Sequence, residues 1–205
     1  DFSMIMWLME IPEDDYLLSH IYMDRLYKSG VDTTYEYYTV RLPKERLRKE
    51  ARMLSNANLR IIPYSWRIFP LEGVKDNIRK PSLTDSAYRE DVEKQLTWQA
   101  KIFHQYSVDT YSLGDEDILA EGEADVCFSE SSLAGFRDYL RDQYGTLNIL
   151  NSEWDSQYTD WSQIIPSTAP LARESGKYAQ WLDFRMYMDS VYSNINLYAQ
   201  NVIRK

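Results

Sequence analysis

Cysteine is almost absent from this chain. The 205 residues hold one, Cys127, so neither an internal disulfide framework nor a cysteine-based zinc site can form. Histidine is nearly as scarce. His20 and His104 lie far apart, each inside a helical pattern, and read as surface or packing residues rather than ligands. Seven glycines, widely scattered, make no phosphate-cradling loop, and no Gly-x-Ser-x-Gly elbow or Ser/His pairing is visible. Nucleotide and triad chemistry are therefore disfavoured. No apolar run reaches the roughly 18 residues that a membrane-spanning helix needs. Basic residues are outnumbered, 23 against 32 acidic, and the net charge of -9 argues against nucleic acid or an anionic membrane as partner. No signal peptide is visible. The chain opens directly on strand-like residues, Asp1-Phe2-Ser3-Met4, as expected if upstream residues have been removed. The compartment, cytoplasmic or secreted, stays open for a chain expected to be soluble.

Hydrophobic residues make up 44%, which places the chain among globular domains. Aromatic residues are plentiful, with 17 Tyr and 6 Trp. Sugar clefts use such rings as stacking platforms, and wide helix–sheet cores use them too, so composition leaves both open.

The order of patterns is strand, helix, strand, helix. Ser3 to Leu8 is a near-continuous apolar run, as expected of a strand buried on both faces. Pro12 and Glu13-Asp14-Asp15 open a helix that Gly30 closes. Thr33 to Tyr38 is the second strand, and Pro43 starts the second helix. Leu59 to Tyr64 is the third strand, with Pro63 suited to its exit. A long loop from Ser65 to about Asp85 precedes a third helix ending near Tyr106. A fourth strand, Thr110 to Leu113, stops at Gly114. A further helix ends at Gly145, and Thr146 caps a short one. Helix runs from Glu174 to the end, with Tyr178, Trp181, Leu182, Met188, Val191, Ile195 and Val202 as its apolar stripe. No hairpin signal and no linker interrupt the pattern, which predicts an α/β fold on a parallel sheet in one domain.

In such a sheet, ligands sit at the carboxyl ends of the strands. The fourth strand delivers Asp115 and Glu116 there. A carboxyl group shielded by nearby rings has its pKa raised by desolvation and can give a proton near neutrality. Glu116 is thus the candidate catalytic acid, with Asp115 as a substrate contact. The bland alternative is a solvated acidic turn of Asp115, Glu116 and Asp117. Glu10, Glu36 and Arg67 fall near the ends of strands one to three and can line the same cleft or form surface ion pairs. Trp7 and Trp66 are candidate stacking platforms or core residues. Glu121, Glu123 and Asp125 read as a solvated loop, with calcium binding as the alternative although their spacing matches no known calcium-loop motif.

The segment Tyr111-Ser112-Leu113-Gly114-Asp115-Glu116 is similar to the strand-four motif of bacterial family 42 β-galactosidases, which ends in Asn-Glu. Further on, Tyr144-Gly145, Leu150-Asn151 and Trp154 match that family's Tyr-Gly, Leu-Asn and Trp string, and Leu182-Asp183-Phe184-Arg185 resembles the start of its next helix. The resemblance covers the second half of the chain well and the first half mainly in layout. It implies a (β/α)8 barrel, of which residues 1–205 supply the first half with about four strands. It carries Glu116 over as general acid/base of a retaining glycosidase acting on a carbohydrate, with no cofactor. Asp115 departs from the family's Asn: it accepts hydrogen bonds but cannot donate as an amide does. The family's zinc cysteines are unmatched. A retaining enzyme also needs a second carboxylate about 5 to 5.5 Å from the first. In this family it comes from a later strand, so the nucleophile is expected outside these residues, and the chain alone is expected to be inactive. Other readings are a non-catalytic carbohydrate-binding barrel and a metal-dependent α/β enzyme using Asp115, Glu116 and Asp117. A half barrel exposes two sheet edges, which invites self-association or a partner half.

Overall fold

The computed structural model describes residues 3–8, 16–36, 42–65, 67, 68, 71–106, 108, 110–114, 117–120 and 124–205; residues 8, 16–18 and 36 are described for their backbone only. The chain divides into two compact units. The first comprises residues 1–67, 92–116 and 201–205, and the second residues 68–91 and 117–200. No helix among the described residues is long and apolar enough to cross a membrane.

In the first unit three strands, β1 (Ile5–Leu8), β2 (Thr33–Glu36) and β3 (Arg60–Pro63), pair in parallel in that order. Helix α1 (Tyr16–Lys28) joins β1 to β2, and α2 (Lys44–Asn56) joins β2 to β3. The register aligns Met6, Thr34 and Ile61 on one face and Trp7, Tyr35 and Ile62 on the other. Ile61 faces a core of Met23 and Leu26 from α1, Leu47, Ala51 and Leu54 from α2, and Ile102 and Phe103 from α3 (Ser86–Phe103). At the amino ends of the strands, Arg60 pairs with Asp32 at 3.1 Å, and the Ser3 hydroxyl donates to the same carboxylate at 2.6 Å. That bond from Ser3, then one from Thr33, holds Asp32 below the usual carboxylate range.

β1 is not buried on both faces as its composition predicts. Met4, Ile5, Met6 and Trp7 are 48, 55, 38 and 50% exposed. β1 is an edge strand, and among the described residues nothing pairs with its outer side. Burial comes from neighbours, and an apolar run cannot announce which of them are present. The fourth strand is also less than a full ladder among the described residues. Two isolated parallel bridges, Ile61 to Val108 and Tyr64 to Ser112, lay it beside β3. The predicted start of the first helix, Pro12 to Asp15, lies outside the described residues, as do Glu10 and Tyr37–Tyr38.

The second unit contains a hairpin that the sequence pattern did not predict. β4 (Val74–Lys75) and β5 (Ile78–Arg79) pair antiparallel across Asp76 and Asn77. Both turn residues have positive φ, 53° and 59°, the left-handed pair that a two-residue turn requires. Asp and Asn tolerate that region better than other residues, so the signal was present inside the long loop.

Helix α4 (Glu130–Tyr144) is capped by the Ser129 side chain and ends at Gly145, φ 68°; Thr146 then caps α5 (Leu147–Trp154), both as expected. The terminal helix is two helices. α6 (Ala169–Ser175) stops at Gly176, and α7 (Ala179–Arg204) starts afresh. Phe184, Tyr187, Met188, Val191 and Ile195 form its buried face, whereas Tyr178 and Leu182 are half exposed. Leu182 precedes Met188 by six residues, about 240° round a helix, so the predicted stripe mixes two faces there.

Phe136 of α4 sits against Phe184 and Tyr187 of α7, with ring centroids 5.2 and 5.5 Å away, and against Trp154 of α5 at 6.4 Å. The family-like string around Tyr144 is a lock on this cluster. Tyr144 Oη and Trp154 Nε1 both donate to Asp183 Oδ2, at 2.6 and 2.8 Å. Burial, then the bond to Asp183, pushes the Tyr144 phenol up to about 12. The close approach of α4 to α7 needs Gly135, where a Cβ would collide with the Tyr187 hydroxyl. Gly135→Ala is therefore expected to destabilise by about 1–3 kcal/mol in thermal denaturation, and adding Tyr187→Phe should restore part of the loss.

Candidate functional site

In the first unit the site is the carboxyl end of the sheet. Trp7 and Tyr35 share a face, their rings 5.0 Å apart, and Tyr64 lies 6.0 Å beyond Tyr35. One aromatic row thus crosses three successive strands. The next position is Ser112. Its amide donates to Pro63 O at 3.0 Å, and its carbonyl accepts from the Ser65 amide at 2.9 Å. The Ser112 hydroxyl donates to Gly114 O at 3.0 Å, which leaves Tyr35 Oη as the donor in the 2.7 Å bond between the two hydroxyls. Residues 112–114, the lead-in to Asp115 and Glu116, are thereby tied to the face that carries the rings.

Of the predicted site residues, Trp7 is on that face and half exposed, as a stacking platform requires. Arg67 is half-buried on the segment leaving β3. Glu36 ends β2, level with Leu8 and Pro63 in the register, and only its backbone is described. Asp115, Glu116 and Trp66 lie outside the described residues. Tyr35, Tyr64 and Ser112 were missed as site residues, although strand alternation two residues apart was the signal for them.

The second unit carries a separate set of polar contacts. Asp117 Oδ1 accepts from the Ile68 amide at 2.7 Å, and Ile118 N donates to Ile68 O at 3.0 Å. The fully buried Arg79 is the most unusual residue here. None of its three guanidinium nitrogens makes a hydrogen bond among the described residues. Burial lowers its pKa, while Tyr88, Cys127 and Asp117 oppose that shift electrostatically. Nothing in composition or spacing marked this residue. Buried charges are normally paired, and an anion or an array of hydroxyl oxygens is the chemistry such a fork fits.

Asp125 corrects another expectation. It is buried, not solvated: its two oxygens accept from Ala169 N at 2.7 Å and Trp181 Nε1 at 2.8 Å. A carboxylate with two good donors can leave water. Cys127 is buried, its thiol turned to Arg79 O and Ser82 Oγ. Being the chain's single cysteine, it does not fit a thiolate zinc centre. Among the described residues no group of three or more His, Cys, Asp or Glu is placed to hold a metal ion.

Beside Asp117 the second unit holds an open cavity of about 400 Å³. One wall is residues 117–120, and the other is Arg185, Asp189 and Tyr192 of α7. Those three follow i, i+4, i+7 spacing and share a helix face. Burial, then the charge of Asp117, raises the Tyr192 phenol.

A family model described as β-galactosidase matches residues 72–205, well over half of the chain. The chain belongs to glycoside hydrolase family 42. Solved structures share its fold. A β-galactosidase from the haloarchaeon Halorubrum lacusprofundi superposes with a TM-score of 0.74 at 15% identity, covering 98% of this chain and 34% of that one. A cold-adapted β-galactosidase from Rahnella sp. R3 gives 0.73 at 17% identity, covering 99% of this chain and 34% of that one. A curated thermophilic β-amylase from Thermoanaerobacterium thermosulfurigenes is 38% identical over 42 residues, 20% of this chain and 8% of its own. The chain thus spans about a third of the length of the β-galactosidase structures. With this family go an α/β architecture on parallel strands and glycosidase chemistry.

Proposed function

We propose that the chain is the amino-terminal half of a (β/α)8 barrel that hydrolyses β-galactosides with retention of configuration. Glu116 is the general acid/base. It protonates the leaving oxygen, then takes a proton from the water that releases the sugar. The nucleophile is a carboxylate from elsewhere in the full-length protein. Trp7, Glu36, Trp66 and Arg67 shape the sugar subsites with Asp115. Asp115 stands next to Glu116, so its charge would raise the acid's pKa and favour the protonated form needed in the first step.

The observation that carries this reading, beyond family membership, is the hold on residues 112–114. The strand before Glu116 leaves the sheet at the end where Trp7, Tyr35 and Tyr64 line one face. Such a row suits the apolar face of a sugar ring.

The test is the stereochemistry of the first product. Proton NMR of an aryl β-galactoside digest by the full-length protein should show β-galactose before mutarotation, and the isolated 205-residue chain should show no turnover. An α-anomer as first product rules out retention. Sugar binding without cleavage leaves a carbohydrate-binding role, and loss of turnover with a chelator points to metal chemistry.

A further inference from the structure

We infer that the second unit carries a closed ring of hydroxyl groups in place of the cysteine-held zinc of its family, and that it folds without a metal ion at Cys127. The ring joins the segment before α3 to the first turn of α4.

The first argument is geometric. Ser82 Oγ lies 2.9 Å from both Thr84 Oγ1 and Ser129 Oγ. Thr84 Oγ1 lies 2.8 Å from Ser131 Oγ, which lies 3.4 Å from Ser129 Oγ. Each hydroxyl has one proton to donate and lone pairs to accept. The circuit therefore closes with every group donating once and accepting once. Ser129 Oγ also accepts from the Ser132 amide at 3.3 Å, which fastens the ring to α4. Phe128 N donates to Asn77 O at 2.9 Å and ties the same two stretches of chain again. Ser82 and Ser129 are 47 residues apart in sequence, so the ring is a long-range tie of the kind a metal clip supplies.

The second argument is the donor set. Zinc takes thiolate, imidazole or carboxylate ligands, four of them in a structural site. Cys127 is the chain's one thiol, and its sulfur lies 3.8 Å from Arg79 O and 3.7 Å from Ser82 Oγ. A carbonyl oxygen accepts from a thiol and offers nothing to a thiolate. Asp125, two residues before it, spends its two oxygens on Ala169 N and Trp181 Nε1. The hydroxyls beside the sulfur bond to one another.

The readout is melting temperature of the full-length protein, so the test is independent of the hydrolase reading. A zinc ion held by Cys127 stabilises the fold by mass action, and stripping it lowers the melting temperature. The response to EDTA is expected to be the same in the parent and in Cys127→Ala, to within about 1 °C. A fall with EDTA in the parent that Cys127→Ala abolishes overturns the inference. Ser82 and Ser131 are opposite corners of the ring. Ser82→Ala and Ser131→Ala are each expected to lower the melting temperature by about 2–4 °C. The double variant should fall short of their sum by more than about 1 °C, because one break already opens the circuit. Losses that add to within about 1 °C overturn the closed ring.

Discussion

Replacing Glu116 with Gln in the full-length protein is expected to lower kcat for lactose by about 10²–10⁴-fold, the range for a positioned acid/base. The amide keeps the size and polarity of the carboxyl group but has no proton to give. The loss should shrink for a leaving group that departs readily as an anion, such as dinitrophenolate, because its glycosidic oxygen needs little protonation. The pH profile should change in shape as well as height. If Glu116 is the acid, activity of the parent protein is expected to fall on the alkaline side as that carboxyl loses its proton, and the variant should lack that limb. A variant within about tenfold of the parent on lactose removes Glu116 from the mechanism.

Arg79→Met is expected to pull stability and function in opposite directions. The guanidinium is fully buried and donates no hydrogen bond among the described residues. An apolar side chain of similar length removes that desolvation penalty, so thermal stability should rise; replacements of buried charges gain about 1–4 kcal/mol in favourable cases. If the fork instead waits for substrate oxygens, galactoside affinity should fall about tenfold or more, since hydrogen bonds to a charged donor are worth about 1.5–3 kcal/mol each. Melting temperature and calorimetric affinity together decide. A lower melting temperature with unchanged affinity would show Arg79 to be part of the folding core and not of the site.

Local chemistry made much of the fold readable. Pro63 does end β3, Gly145 and Thr146 do separate α4 from α5, and the loop before α3 does end at Asp85. Each rests on one residue's backbone limits or one side chain's capping bond, which neighbours in sequence suffice to set. The Asp76–Asn77 hairpin belongs to the same class, but its strands are only two residues long, too short for a periodic pattern to show. Of the candidate site residues, Trp7 was readable as an aromatic residue in a strand and stands half exposed beside Tyr35, while Glu116 lies outside the described residues.

Burial and partnership were decided by the tertiary structure. Asp125 looked like surface until α6 and Trp181 of α7 supplied its donors, and β1 looked like core although it is a sheet edge. Arg79 was invisible because an arginine's surroundings are set by residues distant in sequence. Tyr35, Tyr64 and Ser112 carried a local signal in strand alternation, but only strand register brings them into one row. Alone, the sequence determined the alternation of strands and helices, most of their ends, and the family string locked around Asp183. Only the folded chain decided which polar groups are dry and which rings share a face, because desolvation and stacking depend on long-range contacts that no local pattern encodes.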